Sequence, residues 1–227
     1  MQKNQQRVAR LVTAVAVAGV AAAAVTGAGA AEAASLKSVS KSKAIPGGSV
    51  AIKLFDEKYS VQQAVTNVPT SREVFVSGKV RVTTGGDVEG GAVTPGYVVG
   101  CQLNFGASGS GTAGVTTSSD DQSVITVPVG GGSLDVPLAS DTGVGSGFTL
   151  APGDAKFVPV IKASIGGNTV NSFTFTDHQG GVAYSQERFG VDGCAGFAEA
   201  RAVVNVQVST DDYKGNITLY GRPFSIG

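Results

Sequence analysis

Hydrophobic and polar residues alternate along much of the chain, which is the period of a β-strand with one buried face. Val50, Ile52 and Leu54 alternate with small or charged residues. The same two-residue period returns over 72–83 and 200–209. Strand-like runs separated by turns about every 8–12 residues are typical of a sandwich or barrel. The pattern therefore predicts an all-β fold.

A compact hairpin is predicted in the middle of the chain. Ile125, Val127 and Val129 alternate with polar residues or proline, and Leu134 and Val136 do the same after a Gly-rich turn. Two alternating runs joined by a short glycine turn are the usual signal for paired antiparallel strands.

A longer alternating ribbon runs over 101–116. Its odd positions carry no polar side chain, and its even positions hold only Gln, Asn, Ser, Thr and Gly. At about 3.3 Å per residue such a ribbon spans roughly 50 Å, well beyond an ordinary globular strand. One interpretation is a transmembrane barrel strand, apolar toward lipid and polar toward a lumen. The other is a Gly-rich edge strand or loop whose alternation is accidental, and composition alone favours it.

Composition narrows the function classes. Glycine accounts for 33 of 227 residues, charged residues for 15 % and hydrophobic residues for 42 %. Disorder is disfavoured because the chain has neither high net charge nor low hydrophobicity. The formal net charge of zero offers no basic field for nucleic acid.

The N-terminus has the pattern of a secretory signal peptide. Cationic residues up to Arg10 precede the uncharged run 11–31, and a small-x-small site ends at Ala33. This order predicts cleavage between Ala33 and Ala34. The alternative is an uncleaved membrane anchor, because about 20 apolar residues can span a bilayer.

Domain organisation follows from these segments. Residues 1–33 are assigned to the signal peptide, and the polar stretch 34–48 to a flexible lead-in. Residues 49–227 are predicted to form a single β-sandwich domain.

Two cysteines remain after the predicted cleavage, Cys101 and Cys194. An even number of cysteines in an exported protein predicts a disulfide, with two free buried thiols as the alternative. Two cysteines and a single histidine do not suffice for a zinc site, so no metal is expected.

Catalytic chemistry is poorly represented. His178 is the only histidine, and no Gly-x-Ser-x-Gly elbow accompanies it. The carboxylate pairs Asp120–Asp121 and Asp211–Asp212 are adjacent, so on a strand their side chains would point apart. We expect neither an enzyme nor a cofactor.

Several segments in a fixed order resemble the MspA family of mycobacterial and actinobacterial outer-membrane porins. The signal peptide and the mature length agree as well. The segments are TSREVFVSGK at 70–79, GAVTPGYVVG at 91–100, FTFT at 173–176 with GGVA at 180–183, GCAG at 193–196, AR at 200–201, and TLYGRP at 218–223.

The resemblance implies a homo-octamer in which each subunit contributes a β-sandwich rim and a long β-hairpin stem to one transmembrane barrel. The stem and its tip would lie within 101–165, with 101–116 as the first strand and 148–165 as the return strand. Asp120 and Asp121 would form the pore constriction. The lumen-facing stem residues would be Gln102, Asn104, Ser108, Ser110, Thr112 and Thr116.

The implied partners are further copies of the chain, outer-membrane lipids, small hydrophilic solutes and cations. The implied location is the mycolate outer membrane. The alternative is a secreted or surface-attached β-sandwich, held by the disulfide, that acts as a binding or structural module without channel activity.

Overall fold

The computed structural model describes residues 33–65, 68–105, 114–117, 123–130, 132–137, 147–165 and 168–227. They belong to one compact unit, Ala31–Gly227. The described residues contain β-strands and no helix, so the predicted all-β fold is confirmed. The predicted signal peptide before Ala33 lies outside these residues.

Strands in the described residues are numbered in chain order. They are β1 (Ala34–Ser35), β2 (Val39–Ile45), β3 (Gly48–Gln63), β4 (Arg72–Gly86), β5 (Gly90–Cys101), β6 (Gly114–Thr117), β7 (Ser123–Val129), β8 (Gly132–Pro137), β9 (Phe148–Thr149), β10 (Ala155–Pro159), β11 (Ala163–Ile165), β12 (Asn168–Val170), β13 (Phe173–Phe175), β14 (Gln179–Asp192), β15 (Ala198–Ser209) and β16 (Lys214–Ser225).

Two sheets form the sandwich. The first sheet has the order β1–β3–β4–β14–β9, and β2 also pairs with β3. The second sheet has the order β10–β5–β15–β16, and β13 also pairs with β5. All these pairings are antiparallel except β9 with β14, which is parallel. The Nζ of Lys41 on β2 donates to the Thr218 carbonyl on β16 at 2.9 Å, which joins the two sheets along one side.

The core lies between the sheets and is built by the alternation that the sequence shows. Val50, Ile52 and Leu54 on β3 are all buried. They meet Val204 and Val206 of β15 in the same cluster. The predicted inward faces of these strands are therefore confirmed.

Two β-bulges reset the alternation in the first sheet. Asp56 adopts a left-handed φ of 54°, and the β3–β4 register shifts between Phe55 and Lys58. After this bulge the residues that face the core are odd-numbered, beginning with Glu57. A second bulge on β14, with Gln186 at φ 57°, shifts the β14–β4 register between Tyr184 and Glu187.

The flexible lead-in predicted over 34–48 is wrong, because β1 and β2 lie there. β2 pairs with β3 along its whole length, from Val39 opposite Leu54 to Ile45 opposite Gly48. The main-chain hydrogen bonds of this ladder fix a segment whose side chains are mostly polar and exposed.

A separate three-stranded sheet, the meander, consists of β6, β7 and β8 in that order. Its β7–β8 hairpin places Val127 opposite Leu134 and Val129 opposite Gly132. The hairpin predicted around the glycine turn is confirmed.

The predicted boundaries of the two stem strands differ from the structure. β5 ends at Cys101, and Gln102 has a left-handed φ of 56°, so no single strand runs over 101–116. The predicted return strand 148–165 is also wrong. β9 pairs with β14, and β10 pairs with β5, so this part of the chain contributes to both sheets of the sandwich.

No helix in the described part of the chain has the length and apolar character needed to cross a membrane.

Candidate functional site

The segment 102–152, which we call the excursion, begins and ends at one place on the sandwich. The Cys101 N–H donates to the Asp154 carbonyl at 3.0 Å, and the Gly153 N–H donates to the Cys101 carbonyl at 2.9 Å. Ala151 N–H also donates to the Asp154 carboxylate at 3.2 Å, which closes the turn at the returning end. We call this meeting point the neck.

A disulfide lies at the neck, as the sequence predicts. Cys101 and Cys194 are bonded, with their Cα atoms 5.7 Å apart. Both are buried. Gln102 reinforces the junction, because its N–H donates to the Phe197 carbonyl at 2.8 Å and its Nε2 donates to the Ala195 carbonyl at 3.1 Å.

Phe105 anchors the outgoing end of the excursion to the outer face of the second sheet. Its ring is only 3 % exposed. Its N–H donates to the Glu199 carboxylate, and its carbonyl accepts from Arg201. The Arg201 guanidinium also donates to the Gly221 carbonyl at 2.9 Å and lies 4.9 Å from the centre of the Tyr220 ring.

The returning end is held as firmly. Phe148 and Leu150 are both buried in the core cluster. Phe148 lies opposite Val191 of β14, and the Leu150 N–H donates to the Asp192 carbonyl at 3.0 Å. Both ends of the excursion are therefore fixed to the segment that surrounds Cys194.

The meander lies against the outer face of the second sheet and forms a second hydrophobic cluster with it. The buried residues of this cluster are Val98, Phe105, Ile125, Val127, Val129, Val136, Phe157 and Val203. Gly96 makes room for it, because a side chain there would collide with the Phe157 ring. The Tyr220 hydroxyl donates to the Thr126 carbonyl at 2.9 Å, and the Gly130 N–H donates to the Asn104 carbonyl at 2.9 Å.

The predicted site residues fall into two groups. Gln102 and Asn104 lie at the neck and the start of the excursion, and both are exposed. Thr116 lies on β6, opposite Val124 of β7. The others are outside the described residues: Ser108, Ser110, Thr112, Asp120 and Asp121.

The structure also reveals a buried polar cluster that no pattern in the sequence points to. Glu57 is 1 % exposed, and its Oε1 accepts from the Tyr97 hydroxyl at 3.2 Å. The hydroxyls of Tyr97 and Tyr184 are 2.9 Å apart. Because Tyr97 has one proton and gives it to Glu57, Tyr184 is the donor in the second bond. Gly78 on β4 leaves space for the Tyr184 ring.

The ionisation of Glu57 is strongly perturbed. Burial raises its pKa from 4.5 to about 7, and the hydrogen bond from Tyr97 offsets part of that rise. Its Oε2 has no hydrogen-bond partner among the residues that the structure describes. Burial also raises the pKa of both tyrosines. The bulge at Asp56 is the reason that Glu57 is buried, since without the bulge Glu57 would face solvent.

Within the described ranges, no three His, Cys, Asp or Glu side chains are grouped so as to hold a metal ion. The backbone carbonyl of His178 accepts from the Thr84 N–H at 2.8 Å.

Comparison with known proteins gives a family. The family model described as MspA matches residues 46–225, well over half of the chain. A search among curated proteins found no match.

Proposed function

Since the chain belongs to the MspA family, we propose that it is a subunit of an outer-membrane porin. In this proposal an oligomeric β-barrel lets small hydrophilic solutes and cations diffuse through the membrane. The family consists of porins rather than enzymes, which supports a role without catalysis. The observation that carries the proposal is the neck.

A hairpin stem must leave its rim and return at one point, because its two strands are hydrogen-bonded neighbours. The neck has this geometry, because the main chain of Cys101 is hydrogen-bonded to the main chain of both Gly153 and Asp154. Strands from several copies would then close a barrel, which satisfies the backbone groups that lipid cannot hydrogen-bond.

The stem in this proposal lies within 106–147, between Phe105 and Phe148, which are the two buried anchors. Asp120 and Asp121 fall between the ends of β6 and β7 in the sequence, and we assign them to the constriction. Carboxylates from several copies would form a ring that favours cations. Ser108, Ser110, Thr112 and Thr116 are assigned to the lumen. The signal peptide would direct export, with cleavage between Ala33 and Ala34.

Conductance measurement tests the proposal directly. The purified oligomer, added to a planar bilayer in KCl solution, should produce discrete conductance steps. A protein that stays monomeric in detergent and gives no steps would contradict the porin assignment.

A matched control removes the stem and keeps the sandwich. Residues 106–146 are replaced by a Gly/Ser linker of about eight residues, which reaches about 26–29 Å. The neck should still form, so the disulfide and cooperative unfolding should be retained while the conductance steps disappear. Persistence of the steps in this variant would place the channel elsewhere in the chain.

A second candidate function is a secreted or surface-attached β-sandwich module. It is favoured by the burial of Ile125, Val127 and Val136 against the chain's own second sheet. In addition, the large exposed hydrophobic residues of the described part come from three separate segments of the chain, which contain Val65 with Val68, Phe173 and Phe197. Recovery in the culture filtrate as a monomer, rather than in the extracted outer-membrane fraction, would support this function.

A further inference from the structure

We propose that the meander is docked on the sandwich as an autoinhibitory contact, which must open before the excursion can enter a membrane. This inference rests on the proposed porin function. It is argued from the second hydrophobic cluster, which is built partly from the excursion and partly from the rim.

The two sides of the contact match in chemistry and in depth of burial. Ile125, Val127 and Val136 of the meander are 0 % exposed, and so are Phe157 and Val203 of the second sheet. Such burial removes from water the apolar side chains of β7 and β8 that would otherwise be exposed.

The same side chains are the ones that a barrel strand would turn toward lipid. On β7, Ile125, Val127 and Val129 alternate with Val124, Thr126 and Pro128, so one face of the strand is wholly apolar. A strand face cannot pack on the rim and contact lipid at the same time. Docking therefore competes with membrane insertion.

Polar contacts set the register of the docked state. The Tyr220 hydroxyl of the rim donates to the Thr126 carbonyl. Within the excursion, the Gly130 N–H donates to the Asn104 carbonyl and ties the end of β7 to the anchored outgoing segment. In both hydrogen bonds the group on the meander belongs to the main chain. These bonds therefore hold the backbone of the meander at one position, in addition to the packing of its side chains.

The anchors at the neck let the contact open without loss of the sandwich. Val203 faces the second cluster, while its neighbours Ala202 and Val204 face the main core. The rim can therefore release the meander while the disulfide between Cys101 and Cys194 holds the outgoing end of the excursion and the pairing of β9 with β14 holds the returning end.

The substitution Val203→Thr tests the proposal from the rim side and leaves the excursion sequence intact. Threonine keeps the shape and the strand preference of valine, but its hydroxyl is costly only where it is buried against the meander. Val68→Thr is the matched control, because Val68 is 45 % exposed.

The first readout is amide hydrogen exchange of the full-length protein in buffer. We expect exchange in β7 and β8 to rise about tenfold in Val203→Thr, which corresponds to about 1.4 kcal/mol, while β4 and β15 stay protected. Unchanged exchange rates in β7 and β8 would overturn the proposal that the contact with the second sheet holds the meander in place.

The second readout is the frequency of channel insertion into a planar bilayer at equal protein concentration. Val203→Thr should insert several-fold more often than wild type and Val68→Thr, with the same single-channel conductance. Equal insertion frequencies would overturn the autoinhibitory role and leave the porin function standing. If no variant conducts, the porin function itself fails, and the autoinhibitory role fails with it.

Discussion

Glu57 shows how one inserted residue changes the chemistry of a protein interior. The bulge at Asp56 turns a carboxyl group from the solvent side of β3 to the core side. There the hydroxyl of Tyr97 is the one hydrogen-bond partner of the carboxyl group within the described ranges, and the pKa of Glu57 rises to about 7. The fold therefore favours the neutral acid, whereas the unfolded chain ionises near pH 4.5.

This difference predicts a pH-dependent stability. Because the folded pKa lies above the unfolded one, the contribution of Glu57 is fully present below pH 4.5 and is lost as the pH rises through about 7. Glu57→Gln removes that loss, so it should stabilise the protein at pH 8 by up to about 3 kcal/mol. At pH 4.5 the two proteins should differ little. Urea unfolding at both pH values measures the effect.

Glu89→Gln is the matched control, since Glu89 is exposed. It should follow the wild-type pH profile. A Glu57→Gln profile parallel to that of wild type would refute the buried-acid explanation.

The proposed constriction is also a property of single residues. Replacing Asp120 and Asp121 by Asn together removes two negative charges per subunit from the assigned ring. The preference of the channel for cations over anions should fall. In a KCl gradient, the measured reversal potential should therefore move toward zero. The same exchange at Asp211 and Asp212, which lie between β15 and β16, should leave the reversal potential unchanged. An unchanged potential in the Asp120/Asp121 variant would remove the assignment.

Among the structural elements, the neck combines a covalent bond with main-chain hydrogen bonds. The disulfide closes a loop over a sequence separation of 93 residues. A crosslink of that span restricts the unfolded chain strongly. The hydrogen bonds of Gln102 to Ala195 and Phe197 act on the same junction in the folded state.

The double substitution Cys101→Ser/Cys194→Ser should therefore lower the free energy of unfolding by about 2–5 kcal/mol. Thermal unfolding followed by circular dichroism measures the loss. Reduction of the wild-type protein under the same conditions is the control and should give a similar decrease. A melting temperature equal to that of the oxidised wild type would show that the hydrogen bonds alone hold the neck.

At the scale of the whole molecule, the sandwich was predictable and the path of the excursion was not. Val50, Ile52 and Leu54 alternate with residues of different polarity, so the sequence alone predicts that these three side chains face the core. Over 102–116 the glycines fit either face, so the alternation does not specify a partner. In the structure β5 ends at Cys101, and Phe105 packs against the second sheet instead of continuing the strand.

The candidate site shows the same division. Cys101 and Cys194 were predictable because export and an even count select a disulfide. Glu57 was not, because the position of a bulge depends on strand pairing rather than on local periodicity. Asp120 and Asp121 remain predictions, and only the family resemblance selects them over other acidic pairs.

The sandwich has two unlike flanks. Along one flank Lys41 crosses from β2 to the Thr218 carbonyl, and β2 and β6 both contact β16. Along the other flank β9 pairs only with Val191 and Asp192 of β14. Among the long strands of the described residues, β14 over 179–190 and β16 each have one edge without a main-chain ladder.

The two free edges bear on how copies can assemble. A ring propagated by backbone pairing needs two different free strand edges on each copy, one to donate and one to receive. β14 and β16 belong to different sheets, so pairing of β14 in one copy with β16 in the next would repeat head to tail. Pairing of like edges would instead stop at a closed twofold pair.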